Sequence, residues 1–357
     1  MKKLFRILLS LAGVLVLALA CYAAYVFLTY YRLEDNLPLA VEGTAADSGS
    51  PVVGETYRLV SYNIGFGAYS DDYSFFMDGG TESRARSVEA VYENVGGAIA
   101  AAADADPDFL FLQEVDTDGT RSRHVGEYAY AVSLLPELGQ RVFAQNYDSP
   151  YLFWPVLEPH GANQSGLATF SRYAVSSALR RSVPVEEGFM KLVDLDRCYS
   201  VSRVPLANGK ELVLYNFHLS AYTSDGTIAE EQLKLLFADM SGEYAAGNYA
   251  VAGGDFNKDI LGNSSEIFGV SGEACTWAQP IPAELVPEGL AIAAPFDAEA
   301  PVASCRNADR PYGPDSFLLT ADGFIVSANV TVVDAQVMDT GFRWSDHNPV
   351  YLDFVLN

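Results

Sequence analysis

Apolar positions fall into two regimes along the chain. From Ile7 to Tyr31 there are 25 mostly apolar residues without a charge, a run that at about 1.5 Å rise per residue exceeds the roughly 30 Å hydrocarbon core of a bilayer. Beyond it, apolar residues come in short β-like runs and two helical stripes. The runs predict strands at Tyr57–Ile64, Asp108–Leu112, Leu167–Ser171, Arg197–Val204, Glu211–His218, Tyr249–Ala252, Ser316–Thr320 and Pro349–Val355, most of them apolar enough to be buried. Val88, Val91, Val95 and Ile99 recur at spacings of three and four and predict a helix over Ser83–Ala103. Ile228, Leu233, Leu236, Phe237 and Met240 predict a second over Thr227–Ala245. Many strands with helices interposed suggest two sheets packed face to face under helices. Leu33 to Thr56 is rich in Gly, Ser, Ala, Pro and Asp without a period, as in a flexible stalk. The expected organisation is therefore residues 1–32 as a short cytoplasmic N-terminus and transmembrane signal-anchor helix, 33–56 as the stalk, and 57–357 as one folded domain.

Charge sets the orientation of the anchor. Lys2, Lys3 and Arg6 precede the apolar run and only Arg32 stands close behind it, so the positive-inside rule puts the N-terminus in the cytoplasm and the domain outside the cell membrane. The alternatives are a signal peptide cleaved after Ala18-Leu19-Ala20, or a lipid-modified Cys21. All 46 acidic residues but only 19 of the 22 basic ones lie beyond residue 30, a net formal charge of −27. Such a surface repels polyanions at long range and counts against indiscriminate nucleic-acid binding. Three cysteines lie beyond the anchor, Cys198, Cys275 and Cys305, so at most one intrachain disulfide can form, with Cys275–Cys305 the preferred pair. No closely spaced Cys/His set suggests structural zinc.

Polar residues recur where the predicted strands end, which is where a hard cation and a phosphate find oxygen and nitrogen ligands. They are Asn63; Gln113-Glu114; Asn216-Phe217-His218; Gly254-Asp255-Phe256-Asn257; Pro314-Asp315-Ser316-Phe317; and Ser345-Asp346-His347-Asn348. Singly, each is explained by a strand cap or an Asx turn.

Together and in this order they resemble the endonuclease/exonuclease/phosphatase superfamily over about Tyr57 to Phe354. Gly166-Leu167-Ala168-Thr169-Phe170-Ser171-Arg172 resembles a further strand of that family. The resemblance implies an α/β fold, a four-layered sandwich of two packed mixed sheets flanked by helices, preceded here by the one transmembrane helix. It implies a Mg²⁺-dependent phosphoester hydrolase, with Mn²⁺ a possible substitute. Glu114 would be the principal metal ligand, with Asn63 beside it and Asp346 contributing. Asp255 would position or deprotonate the attacking water, and Asn257 would hold water and phosphate in line. His218 and His347 would bond phosphate oxygens, with Asp315 orienting the His347 ring. Ser316 stands where many members have an aromatic after the paired aspartate, and no counterpart of the abasic endonucleases' active-site tyrosine is recognised, so DNA repair is disfavoured.

Arg84, Arg86, Arg121 and Arg123 lie in loops beside the motif strands and are candidates for substrate phosphate, with ordinary surface ion pairing as the alternative. His124 and His160 read as solvent-facing loop residues. The stretches Tyr73-Ser74-Phe75-Phe76-Met77 and Tyr151-Leu152-Phe153-Trp154-Pro155 read as core packing, with a pocket wall or membrane contact as the alternative. The expected partners are a phosphoester substrate, with a lipid head group or other small phosphoester ahead of nucleic acid, and the membrane through the N-terminal helix; no protein partner is inferred. The rival readings are an extracellular nuclease and a catalytically silent ligand-binding surface protein.

Overall fold

The computed structural model describes residues 1–46, 49–186, 196–221, 227–269 and 277–357. In chain order the main elements are α1 (Lys2–Thr29), β1 (Leu37–Leu39), β2 (Val41–Gly43), β3 (Thr56–Asn63), α2 (Val88–Ala103), β4 (Phe109–Gly119), α3 (Glu127–Leu134), β5 (Gln140–Asp148), β6 (Asn163–Ser171), β7 (Ser177–Ser182), β8 (Cys198–Pro205), β9 (Glu211–His218), α4 (Thr227–Ala245), β10 (Tyr249–Asp255), α5 (Ser264–Ile267), β11 (Leu290–Ala293), β12 (Cys305–Arg306), β13 (Leu318–Leu319), β14 (Asp322–Ser327), β15 (Val330–Val337) and β16 (Val350–Leu356).

Two mixed seven-stranded sheets carry the fold. Their strand orders are β1-β7-β8-β9-β10-β14-β11 and β15-β16-β3-β4-β6-β5-β2. Strand alternation decides what each sheet face buries. In β4, Phe109 and Phe111 point between the sheets, where they meet Leu59, Leu214, Val251, Phe324 and Phe354. Leu110 and Leu112 point the other way, into a core shared with Val91, Val95 and Ile99 of α2. On the opposite flank, Leu233, Leu236, Phe237 and Met240 of α4 pack on Val213, Tyr215, Ala250 and Ala252. The result is the helix, sheet, sheet, helix layering expected from the sequence.

The boundaries depart from expectation in instructive places. α2 starts at Val88, where the Ser87 Oγ accepts the Ala90 N–H at 3.1 Å; an N-cap side chain satisfies one of the orphan donors of the first turn and defines the start. Residues 33–56 are not simply a stalk. β1 pairs with β7 and β2 with β5, so this segment adds an edge strand to each sheet, because three residues suffice to pair an exposed edge. The expected strand Ser316–Thr320 shrinks to β13, which among the described residues pairs only with β12, while the strand that enters the main sheet is β14. Of the proposed Cys275–Cys305 pair, Cys275 lies outside the described residues. α1 is long and apolar enough to cross a membrane and is almost wholly exposed.

Candidate active site

The topology brings the motif residues to one end of the sandwich. β9 and β10 run parallel, with His218 opposite Asp255, and β3 and β4 run parallel, with Asn63 opposite Gln113. Parallel strands deliver their C-terminal residues to the same edge. β14 is antiparallel to β10 and therefore contributes its first residue, placing Asp322 opposite Asp255. β16 is antiparallel to β3, so the segment just before it, Ser345-Asp346-His347, arrives at the same edge.

Glu114 does not follow a strand end, as the sequence suggests; it lies within β4. A bulge between Leu112 and Val115 breaks the register with β6, and Glu114 sits at φ +54°. A left-handed conformation costs a non-glycine residue about 1–2 kcal/mol, and the bulge re-aims the side chain into the cleft. Its neighbour Gln113 is buried between the sheets, donating to Ser61 Oγ (3.0 Å) and Asn216 Oδ1 (2.8 Å). Asn216, placed in a motif by sequence, is thus part of this buried anchor.

Asn63 joins the two halves of the cleft. Its Nδ2 donates to Glu114 Oε1 at 3.2 Å and to Asp255 Oδ2 at 3.1 Å, while its Oδ1 accepts the Gly65 N–H. Asn257, at φ +49°, closes an Asx turn in which its N–H donates to Asp255 Oδ1 at 2.8 Å and its Nδ2 donates to the Leu219 carbonyl at 2.8 Å. These bonds fix both side chains without substrate.

The two histidines are held in opposite states. His347 Nδ1 meets Asp322 Oδ2 at 2.7 Å, and its Nε2 lies 3.6 Å from Asp255 Oδ2. Burial opposes its charge, but Asp322, with Cys305 and Asp255, outweighs burial and raises it well above the ordinary range. His218 Nε2 is 3.3 Å from the same Asp255 oxygen, yet burial and then Arg197 and His347 push it well below that range. Asp255 itself is pushed up to about 7, chiefly by desolvation, against the lowering effect of His347. Neighbouring groups with divergent protonation are what acid–base chemistry near neutral pH requires.

Asp322 is the residue the sequence reading missed. Asp315, expected to orient His347, is exposed. It belongs to a turn closed by Ser316, whose N–H donates to the Gly313 carbonyl and whose Oγ accepts the Gly313 N–H. Asp322 is buried, accepts from Ser304 Oγ at 2.7 Å as well as from His347, and opens the apolar run Gly323-Phe324-Ile325-Val326. That run, an acidic residue followed by a buried strand, was the available signal.

A cavity of about 500 Å³ opens over these residues. Its polar end holds Glu114, His218, Asp255, Asn257, Asp346 and His347, and its apolar wall includes Tyr69, Phe75, Phe76, Met77, Leu152 and Trp154. Of the four arginine candidates only Arg121 lines it. Arg121 is buried, binds Asp116 through two hydrogen bonds, and reaches Glu114 Oε2 at only 4.0 Å. Arg84 donates to the Pro159 carbonyl, Arg86 pairs with Asp72 and Glu82, and Arg123 with Glu158. The alternative reading, ordinary surface ion pairing, fits Arg86 and Arg123, while Arg84 is held by a backbone carbonyl. His124 is exposed beside Asp118. His160 is not solvent-facing: it is buried, lines the cavity, and bonds the Ser83 carbonyl through Nδ1 at 2.9 Å.

The donor set suits a hard divalent cation. Glu114, Asp255 and Asp346 line a cleft whose guanidinium groups are engaged, Arg121 by Asp116, Arg197 by the His218 carbonyl and Arg306 by the carbonyls of Ser70 and Arg310. Burial first, and then the charge of Glu114, raise the Asp346 carboxyl to about 6 even though His347 and Arg306 pull it down. The Glu114 and Asp346 carboxylates are the kind of oxygen ligand a hard divalent cation takes, while Asn63 stands beside them with its Nδ2 on Glu114 and its Oδ1 on the Gly65 N–H. Asp255, Asp322 and His347 also place three ligating atoms within 4.8 Å, but His347 Nδ1 is already bonded to Asp322 and its Nε2 faces Asp255 at 3.6 Å.

The two-sheet α/β sandwich gathers acidic and imidazole groups at one strand edge. The chain belongs to the Endonuclease/Exonuclease/phosphatase family, whose model matches residues 60–347. Among solved structures it is similar to an endonuclease/exonuclease/phosphatase from Beutenbergia cavernae, with 18% identity, TM-score 0.58, and 85% of this chain and 72% of that one covered. It is also similar to one from Bacteroides vulgatus (16% identity, TM-score 0.53, 85% and 100% covered). A third similar structure is Danio rerio TDP2 complexed with single-strand DNA product (14% identity, TM-score 0.52, 84% and 99% covered). No curated protein matches the chain.

Proposed function

We propose that this protein is a Mg²⁺-dependent phosphoester hydrolase held at the outer face of the membrane by α1, acting on a lipid head group or another small phosphoester. The observation that carries this reading is the cluster in which Asn63 bonds both Glu114 and Asp255, while His347, bonded to Asp322, faces Asp255 across 3.6 Å. Glu114 and Asp346 would hold the cation, with Asn63 beside them bonded to Glu114. A hard divalent ion held there would supply Lewis-acid stabilisation of the charge developing on a phosphate oxygen, with Mn²⁺ as a possible substitute.

The protein's own groups account for the rest. Asp255, raised toward neutrality, orients a water and takes its proton. Asn257, fixed by its Asx turn, holds water and phosphate in line. His347, kept charged by Asp322, donates to a non-bridging oxygen through Nε2, and neutral His218 contributes a second, weaker bond on the other side of Asp255. Nucleic acid is disfavoured as substrate by the charge of −27 beyond residue 30 and by the engagement of Arg84, Arg86 and Arg123 in internal contacts.

The test is a phosphoester screen of the full chain in detergent with Mg²⁺, Mn²⁺ or Ca²⁺ against EDTA controls, including lipid phosphodiesters and plasmid DNA. Cation-dependent release from a lipid or small phosphoester supports the reading. Cleavage of plasmid alone replaces it with an extracellular nuclease, and no turnover on any substrate leaves a silent binding protein.

A further inference from the structure

We infer that the loop between β5 and β6 is a second membrane-contacting element, which sets the mouth of the catalytic cleft against the outer leaflet. This rests on the reading of α1 as a membrane anchor. The loop projects outward from a base closed by the Leu152–Gly161 bridge and the His160 N–H to Trp154 carbonyl bond at 3.1 Å. Its returning arm is tied down, with Glu158 accepting from Ser83 Oγ and Arg123 and the Pro159 carbonyl accepting from Arg84. The side chains at its tip stand out in solvent. Phe153, Trp154, Val156 and Leu157 are 56%, 67%, 71% and 100% exposed, a contiguous apolar tip in a strongly acidic domain.

What covers that tip is indicated by where α1 touches the loop. Tyr22 OH donates to the Tyr151 carbonyl at 3.0 Å, the Tyr151 N–H donates to Tyr25 OH at 3.1 Å, and the Tyr22 and Phe153 rings meet edge to face at 5.1 Å. Counting outward from Arg6, the last charge before the apolar run, about 30 Å of helix ends near Val26. Tyr25 then lies at the outer hydrocarbon boundary and Tyr22 about one turn below it; tilt only carries them deeper. A loop bonded to both must enter the interfacial layer, the depth at which aromatic side chains settle. Trp154 and Leu152 also line the catalytic cavity, so the surface that meets the bilayer is continuous with the cleft wall. The occupant of the exposed apolar tip is thus the leaflet itself.

The test uses the full chain in phosphatidylcholine nanodiscs, with lipids brominated near the glycerol end or unbrominated. The chain has three tryptophans, so the Trp154 signal is taken as the difference between wild type and Trp154→Phe. The expected result is quenching of that signal by brominated lipid of about twofold or more, as for an interfacial side chain, with a blue-shifted emission and little quenching by aqueous acrylamide. Val156→Ser/Leu157→Ser, at two exposed positions outside the cavity lining, should weaken the lipid quenching. Strong acrylamide quenching with no effect of bromination, or quenching unchanged in the double variant, overturns the inference. Because the readout does not involve hydrolysis, a chain that quenches as expected but turns over no phosphoester would keep the docking surface and lose the hydrolase reading. Active enzyme without quenching would do the reverse.

Discussion

His347 holds Asp322 at 2.7 Å through Nδ1 while its other nitrogen faces Asp255 Oδ2 at 3.6 Å. The ring therefore bridges the β14 carboxylate that fixes its tautomer and the carboxylate that would handle the water. Residues acting as such a unit are strongly non-additive. His347→Ala should lower turnover by about 10²- to 10⁴-fold, Asp322→Asn by a smaller factor, and the double variant should be hardly worse than His347→Ala alone. Asp315→Asn should leave the rate within experimental error. A double variant showing the product of the two single losses would give Asp322 a separate role, and a large effect at Asp315 would return the pairing to that residue.

Glu114→Gln keeps the shape of the bulge while removing the charge that would hold the cation. Binding to the native state alone raises stability by about 2.7 kcal/mol at a hundredfold excess over Kd. Added Mg²⁺ should therefore raise the melting temperature of wild type and leave that of Glu114→Gln nearly unchanged, with most turnover lost at limiting Mg²⁺. Equal shifts in both proteins would remove Glu114 from the cation site.

Gly97 lies inside α2, where alanine normally stabilises a helix by up to about 1 kcal/mol. Here a Cβ would fall into the Trp344 indole, and overpacking of that kind costs about 1–3 kcal/mol. The clash wins, so Gly97→Ala should lower the melting temperature, and the paired Gly97→Ala/Trp344→Leu should recover part of the loss. A stabilised single variant would mean that α2 and Trp344 are free to separate.

His160 is held neutral: burial, with Arg121 adding to it, lowers it to about 4 despite the bond to the Ser83 carbonyl. The unfolded imidazole, near 6.5, binds a proton that the folded one refuses, so stability is full above about pH 6.5 and falls as the pH drops toward 4. The span corresponds to roughly 3 kcal/mol at most. Melting curves from pH 7.5 to 4.5 should be flatter for His160→Gln than for wild type; parallel curves would show that the ring is protonated or solvated in the folded state.

The anchor reading makes a topological prediction. The full chain should stay in the membrane fraction after a high-salt wash and be open to protease from outside the cell. A processed soluble form beginning near Cys21 would replace the anchor with a signal peptide.

The amino-acid sequence by itself determined the buried strands and helical stripes and the polar residues that end them; the four-layered arrangement was legible only through the family resemblance. The unbroken apolar run Phe109–Leu112 calls for a strand buried on both faces and the stripe of α4 for a helix buried on one, as observed, and the polar residues Asn63, His218 and Asp255 stand where such runs end. What it could not convey was pairing. Asp322 begins an antiparallel strand, so its approach to Asp255 depends on a neighbour 67 positions away in register, whereas Asp315 merely stands in a turn of similar composition. The bulge that aims Glu114, the engagement of Arg84, Arg86 and Arg123, and the recruitment of residues 37–43 to the sheet edges were likewise decided in three dimensions. Hydrophobic period is a local property of the chain, but which polar atoms meet depends on strand direction and register, and only the assembled sheets supply those.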